Sequence, residues 1–230
     1  MEGWLDISKA EPVSFSAGET HKVSGLLLVP PKARALYVLA HGAGVGMSHP
    51  SMQAVATGLA ARGIATFRYQ FPYMEQGSKR PDPPKLCHAT VRAAVAEAGR
   101  LAPALPLFAG GRSFGGRMTS QAQALEPLPG VLGLIFLGFP LHPAGRPSDE
   151  RAKHLFDIDI PMLFLQGTRD ALAELRLLRP VGAQLGERAT LRLFEDADHS
   201  FHVPARTGRK DADLRGEILD DLAAWIGAAL

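Results

Sequence analysis

The sequence predicts an α/β fold, a three-layer α/β/α sandwich built on a mostly parallel sheet. Three observations predict it. Short apolar runs alternate with longer amphipathic ones between Val13 and Ala228, the pattern of strands joined by helices. The run Ala35–Ala40 (ALYVLA) is almost wholly apolar, as a strand covered on both faces should be. Gly and Pro are plentiful, 24 and 18 of 230 residues, which suits a fold with many strand–loop–helix junctions.

The elements follow in order. Val13–Ser16 and Lys22–Val29 read as two opening strands, and Pro30-Pro31 stops the second. Ala35–Ala40 is the third strand. After a glycine-rich turn, a helix runs from about Pro50 to Arg62, with Ser48 as its cap, Pro50 in its first turn, and Met52, Val55 and Leu59 as its apolar stripe. Gly63 ends it, and Ile64–Tyr69 is the next strand. Phe71–Lys85 is a Pro-rich loop leading to an Ala-rich helix at Leu86–Leu101. Leu105–Ala109 and Val131–Leu137 are strands on either side of a helix at Phe114–Leu125. The connection Gly138–Pro161 has room for one loop and a short helix near Asp149–Phe156, not for a large cap. Met162–Gln166 and Thr190–Phe194 are the last strands, separated by a helix near Leu172–Leu185. Asp211–Ala228 closes the chain as a helix with Leu214, Ile218, Leu222 and Trp225 on one face. Residues 1–230 read as one domain.

Composition excludes several function classes. The net charge is +2, and the densest basic clusters, Lys79-Arg80 and Arg206 with Arg209-Lys210, are too short for a nucleic-acid footprint. The single cysteine, Cys87, has no disulfide partner and no companion at metal-ligand spacing, so it reads as a structural thiol in a reducing compartment. Met1–Ala10 carries Glu2 and Asp6 and lacks the apolar core of a secretory signal. No stretch reaches the length of a membrane span. The reading is a cytoplasmic protein without membrane or nucleic-acid partners; oligomeric state is not written in the sequence.

In such sheets the chemistry gathers at the carboxyl ends of the strands. After Leu105–Ala109 stands Gly110-Gly111-Arg112-Ser113-Phe114-Gly115-Gly116, which contains G-x-S-x-G between a strand and a helix. A nucleophile on so sharp a turn takes strained backbone angles, and the flanking glycines let the chain pass. A serine hydroxyl needs a base. Of eight histidines, His199 stands directly after the last strand, in Asp196-Ala197-Asp198-His199-Ser200-Phe201. The base needs a carboxylate to hold its tautomer, and Asp170 ends Gln166-Gly167-Thr168-Arg169-Asp170 after the preceding strand. Asp196 and Asp198 are alternative acids, although sequence neighbours of a base rarely reach its far nitrogen. The third strand leads into His41-Gly42-Ala43-Gly44-Val45-Gly46. An oxyanion needs backbone N–H donors, and Ala43 together with Phe114 can supply them. His41 then braces the turn. Phe71-Pro72-Tyr73 and Phe139-Pro140-Leu141 follow two further strands, so Phe71, Tyr73, Phe139 and Leu141 are expected to wall a substrate pocket, with loop packing as the other use of such residues.

Rival readings fit less well. Gly42–Met47 lacks the third glycine of a dinucleotide fingerprint, Arg68-Tyr69-Gln70 offers no ribose-binding acid, and no phosphate-loop string occurs. His199 and His202 with Asp196 and Asp198 suggest a metal cluster, but no helix there is predicted to align the histidines. No metal or organic cofactor is expected.

Taken together, LAHGAG (Leu39–Gly44), FPYM (Phe71–Met74), GGRSFGGRM (Gly110–Met118), GFPLHPAGRP (Gly138–Pro147), PMLFLQGTRDALA (Pro161–Ala173) and DADHSF (Asp196–Phe201) resemble the bacterial α/β-hydrolases related to the hydrolase-like domain of the chromatin-associated KANSL-three and testis-expressed TEX-thirty proteins. A wider resemblance is to dienelactone hydrolases, which use a cysteine where this chain has Ser113. The resemblance implies the α/β-hydrolase fold with an eight-stranded sheet, and it carries Ser113, Asp170 and His199 over to a catalytic triad. The expected function is a serine hydrolase acting on a small-molecule acyl substrate. The alternative is a hydrolase-like interaction or scaffold protein.

Overall fold

A computed structural model of the chain describes residues 10–18 and 20–230. Residues 1–9, most of the stretch read above as lacking a secretory signal, lie outside that range. Eight strands form one sheet in the order β1-β2-β4-β3-β5-β6-β7-β8. β1 (Glu11–Ala17), β2 (His21–Leu28) and β4 (Ile64–Tyr69) pair antiparallel. β3 (Ala35–Ala40) pairs parallel with β4 and with β5 (Leu107–Arg112), and β6 (Val131–Leu137), β7 (Met162–Gly167) and β8 (Ala189–Phe194) continue the parallel part. The chain steps outward from β3 to β4, then returns to β5 on the other side of β3. This reversal leaves a crevice at the carboxyl ends of β3 and β5.

Among the described residues six α-helices cover the sheet: α1 (Pro50–Ala60), the short α2 (Pro72–Glu75), α3 (Pro84–Leu101), α4 (Phe114–Leu125), α5 (Leu175–Leu185) and α6 (Asp211–Ala228). Every residue of β3 is buried, and its side chains alternate between two cores. Ala35, Tyr37 and Leu39 join the apolar cluster formed with α1 and α6, whereas Leu36, Val38 and Ala40 join the cluster formed with α3, α4 and α5. The Tyr37 hydroxyl donates to the Ile135 carbonyl at 2.9 Å, which satisfies a phenol otherwise lost to water.

Several boundaries differ from the sequence reading. His49, not Ser48, caps α1: its Nδ1 accepts the Ser51 N–H at 3.2 Å. With Pro50 as the first helical residue, the cap position falls on the residue just before it. β5 runs on to Arg112 because Gly110 and Gly111 remain in register with both β3 and β6. The Pro-rich loop contains α2, and α3 begins two residues early, at Pro84, where a missing N–H costs nothing. Between β6 and β7 there is only a loop and a 3₁₀ segment, Glu150–Asp157, so no large cap stands over the sheet. Among the described residues no helix is long and apolar enough to cross a membrane. Cys87 is buried on α3, and burial pushes its thiol up to about 12, a state unsuited to nucleophilic work.

Candidate active site

Ser113 stands between β5 and α4 with φ of +49°, in the left-handed region that costs a side-chain-bearing residue energy. Two glycines make the turn possible. A β-carbon at Gly111 would overlap the Ala40 carbonyl oxygen, and one at Gly115 would crowd the backbone of Ala40 and His41. The Ser113 N–H donates to the Leu137 carbonyl at 3.1 Å, tying the turn to β6.

The structure brings Ser113, His199 and Asp170 together from the ends of three strands. His199 Nε2 lies 2.7 Å from Ser113 Oγ, and its Nδ1 lies 2.6 Å from Asp170 Oδ2. A carboxylate oxygen only accepts, so Nδ1 carries the proton and Nε2 is left to accept from the serine. The Asp170 carboxylate is wholly buried, while the imidazole keeps 23% of its surface. Buried carboxylates need partners, and Asp170 has three: His199, the Leu172 N–H at 2.7 Å and the Gln166 amide. Gln166 also accepts the Phe139 N–H at 2.9 Å, joining the acid to the end of β6. Sequence reasoning missed Gln166. Its one signal is an amide that ends a strand of otherwise apolar residues.

The glycine-rich turn after β3 lies against the serine. A β-carbon at Gly42 would sit 4.0 Å from that of Ser113. Among the described residues no acceptor takes the N–H of Ala43 or of Phe114, so both donors are free for an anion. The turn is held from several sides. The His41 ring is fully buried; its Nε2 accepts the Phe71 N–H at 3.1 Å and its Nδ1 donates to the Gly42 carbonyl at 2.8 Å. Burial drives its pKa down to about 4, against smaller opposing effects of Gly42 and Glu75. The Tyr73 hydroxyl donates to the Ala43 carbonyl at 3.1 Å. From β4 and its end, Arg68 donates to the Met47 carbonyl at 3.0 Å and Gln70 accepts the Met47 N–H at 2.9 Å. Arg68 and Gln70 hold the turn where a dinucleotide site would have placed an acid.

The pocket expectation needs correction. Phe71, Tyr73, Phe139 and Leu141 retain 0–1% of their surface and belong to the core under α3, α4 and α5. The rings of Phe71 and Tyr73 pack on His41 and on Phe114, and Phe139 packs between Phe136 and Phe164. These side chains support the site from behind rather than presenting a wall to a ligand, because large apolar groups gain more from complete burial than from a half-open pocket. Phe114 itself is only half-buried.

His202 turns away from His199 and binds Asp211, Nδ1 to Oδ2 at 2.8 Å. Asp198 accepts the N–H groups of Ser200 and His202, so it closes the turn instead of serving the base. Among the described residues no three His, Cys, Asp or Glu side chains gather as metal ligands.

Comparison with known proteins agrees with this architecture. A family model described as an alpha/beta hydrolase domain matches residues 33–227. Solved structures that resemble the chain include an α/β serine hydrolase without lid from Xanthomonas campestris, 21% identical over 94% of this chain and 95% of that one, with a TM-score of 0.71. A dienelactone hydrolase from Anabaena variabilis is 24% identical over 93% and 97%, with a TM-score of 0.72. The esterase domain of a Rhodothermus marinus protein is 15% identical over 94% and 97%, with a TM-score of 0.71. At such identities the structural likeness is one of fold, and it is the family model, spanning most of the sheet and its helices, that places this chain in the α/β-hydrolase family.

Proposed function

We propose that the chain is a serine hydrolase that cleaves a small carboxylic ester or a related acyl bond. The observation that carries this reading is the unbroken hydrogen-bonded line from Ser113 Oγ through His199 to Asp170. Ser113 Oγ attacks the acyl carbon while its proton passes to His199 Nε2. The carbonyl oxygen becomes an oxyanion and accepts from the N–H groups of Phe114 and Ala43, donors of a kind worth about 10²–10³-fold in rate each. Collapse expels the alcohol, which takes the proton from Nε2, and leaves an acyl-serine. Water then attacks the acyl carbon, giving its proton to Nε2, and Ser113 is released with the acid. Asp170 keeps the imidazole oriented and offsets its charge while it holds the extra proton. No metal or organic cofactor enters this sequence, and the partner is a small acyl substrate in the cytoplasm.

The short connection between β6 and β7 supports a small substrate. A long acyl chain would find no cap to cover it, and an unburied methylene gains none of its transfer energy of about 0.8 kcal/mol. A panel of p-nitrophenyl esters tests the reading. kcat/KM is expected to be highest from acetyl to butyryl and to fall beyond about eight carbons, for that reason. A steady rise toward palmitoyl esters would reject the small-substrate reading. No turnover of any ester, with no labelling of Ser113 by a fluorophosphonate, would replace the hydrolase with a non-catalytic interaction protein.

A further inference from the structure

On the other face of the sheet from the Phe71 and Phe139 aromatics, a cavity of about 160 Å³ lies between α1, α6 and the turn after β8. Met52 and Val55 of α1, Ile218 and Leu219 of α6, and Phe201 give it an apolar body. Neither Ser113 nor His199 lines it, although their chain neighbours Arg112 and Ser200 do. It is therefore a separate space beside the triad.

Its charged groups are the informative part. Arg112 and Arg215 both line the cavity. Among the described residues neither makes a hydrogen bond or an ion pair within 4 Å through its guanidinium. Arg112 is half-buried, and burial disfavours its charge; the carboxylate within its electrostatic reach is Asp198, whose Oδ1 accepts two backbone N–H groups. The one carboxylate in the wall, Asp211, is engaged by His202 and by the Val203 N–H. Two guanidiniums without a hydrogen-bonded partner thus border an apolar space; Arg215, exposed on α6, acts on Asp211 through its charge alone, and that carboxylate is already hydrogen-bonded.

We propose that this cavity binds a small monocarboxylate with a ring-sized or branched apolar body, its carboxylate held by Arg112 and Arg215. The volume sets the size, since a cavity of about 150 Å³ holds a benzene ring. The planar guanidinium fork matches a carboxylate in geometry as well as charge. Asp211 in the same wall favours a single negative charge over a doubly charged phosphate. The site does not depend on the hydrolase reading, because binding requires no turnover.

The test is calorimetric titration of the full chain with phenylacetate, and with benzyl alcohol as its uncharged counterpart. Phenylacetate is expected to bind saturably, one per chain, at least about tenfold tighter than benzyl alcohol. Arg215→Ala and Arg112→Met are each expected to weaken it about tenfold, the size of one charge-assisted hydrogen bond. Val55→Phe fills the cavity and is expected to abolish binding, whereas Ser113→Ala leaves it unchanged. Arg215 is exposed on α6, so its variant reads the charge even if replacement at 112 unfolds the protein. Equal affinity for the acid and the alcohol, wild-type binding by a folded Val55→Phe protein, or loss of binding in Ser113→Ala would each overturn the assignment. Esterase activity is measured separately, so failure here is distinct from failure of the triad reading.

Discussion

Acid is expected to attack this protein through His41, by an amount that follows from its burial. The ring is inaccessible, accepts the Phe71 N–H on one nitrogen and donates to Gly42 on the other. Its pKa falls from 6.5 to about 4, chiefly by desolvation. The folded chain therefore refuses a proton that the unfolded chain accepts. Stability from this group is complete above pH 6.5, is lost as pH falls from 6.5 toward 4, and levels off below. The difference in bound protons is nearly one around pH 5.5, so the slope there is just over 1 kcal/mol per pH unit. Relative to pH 7.5 the loss amounts to about 2 kcal/mol at pH 5 and about 3 kcal/mol at pH 4, a large share of a typical total of about 5–15 kcal/mol. Urea denaturation of wild type and His41→Gln at pH 7.5 and pH 5.0 isolates the effect. Glutamine cannot take up the proton, so the variant is expected to lose about 2 kcal/mol less between the two pH values, whatever its stability at pH 7.5. His154, whose pKa is also lowered to about 4 by burial, is present in both proteins and cancels. Equal losses in the two proteins would refute the assignment of acid sensitivity to His41.

Three further outcomes follow from the site. Ser113→Ala is expected to lower kcat/KM by at least about 10³-fold with the thermal midpoint little changed, because alanine keeps the β-carbon and removes only the reacting hydroxyl; wild-type rates from the folded variant would end the triad reading. Tyr73→Phe removes the bond to the Ala43 carbonyl and is expected to cost about 1 kcal/mol of stability. In parallel it should lower kcat about tenfold with KM unchanged, as one oxyanion donor loosens; an equal fall in affinity for substrate would argue that Tyr73 touches the ligand. Prolonged EDTA treatment is expected to leave ester turnover unchanged, and a loss restored by zinc would point to a metal at His199 and His202.

The fold was legible where residues answer to local rules. β3, β4 and β6 sit where their apolar runs stand, because a strand buried on both faces reads as a short, largely apolar run, even where β4 buries Thr66 and Arg68. The clearest errors fall at glycines and prolines. Gly110 and Gly111 look like a turn, yet they stay in the ladder because neighbouring backbone approaches too closely for any side chain. Pro72 and Pro84 look like loop and instead begin α2 and α3. A proline reads the same from sequence whether it ends one element or starts the next; what decides is the packing of the residues that follow it.

The candidate site divides in the same way. Ser113, Asp170 and His199 could be found because each lies in the loop or turn that follows a strand and each residue type is demanded by the chemistry of the next. The groups that hold them could not. Gln166, Arg68 and Gln70 act through contacts set by the twist and spacing of the sheet, and the sequence carries no spacing rule for those. The pocket failed for a related reason. Phe71 and Phe139 stand at strand ends beside the nucleophile, but whether an aromatic ring there faces substrate or core depends on which face its strand turns toward an already filled layer. The reverse holds for Met52, Val55 and Ile218. Their helical spacing marks them as core stripe, and all three join the core beside the sheet, yet they border open space lined also by Arg112 and Arg215. Periodicity reports which side of a helix is apolar. Only the fit between facing elements separates a packed interior from a cavity shaped to receive something.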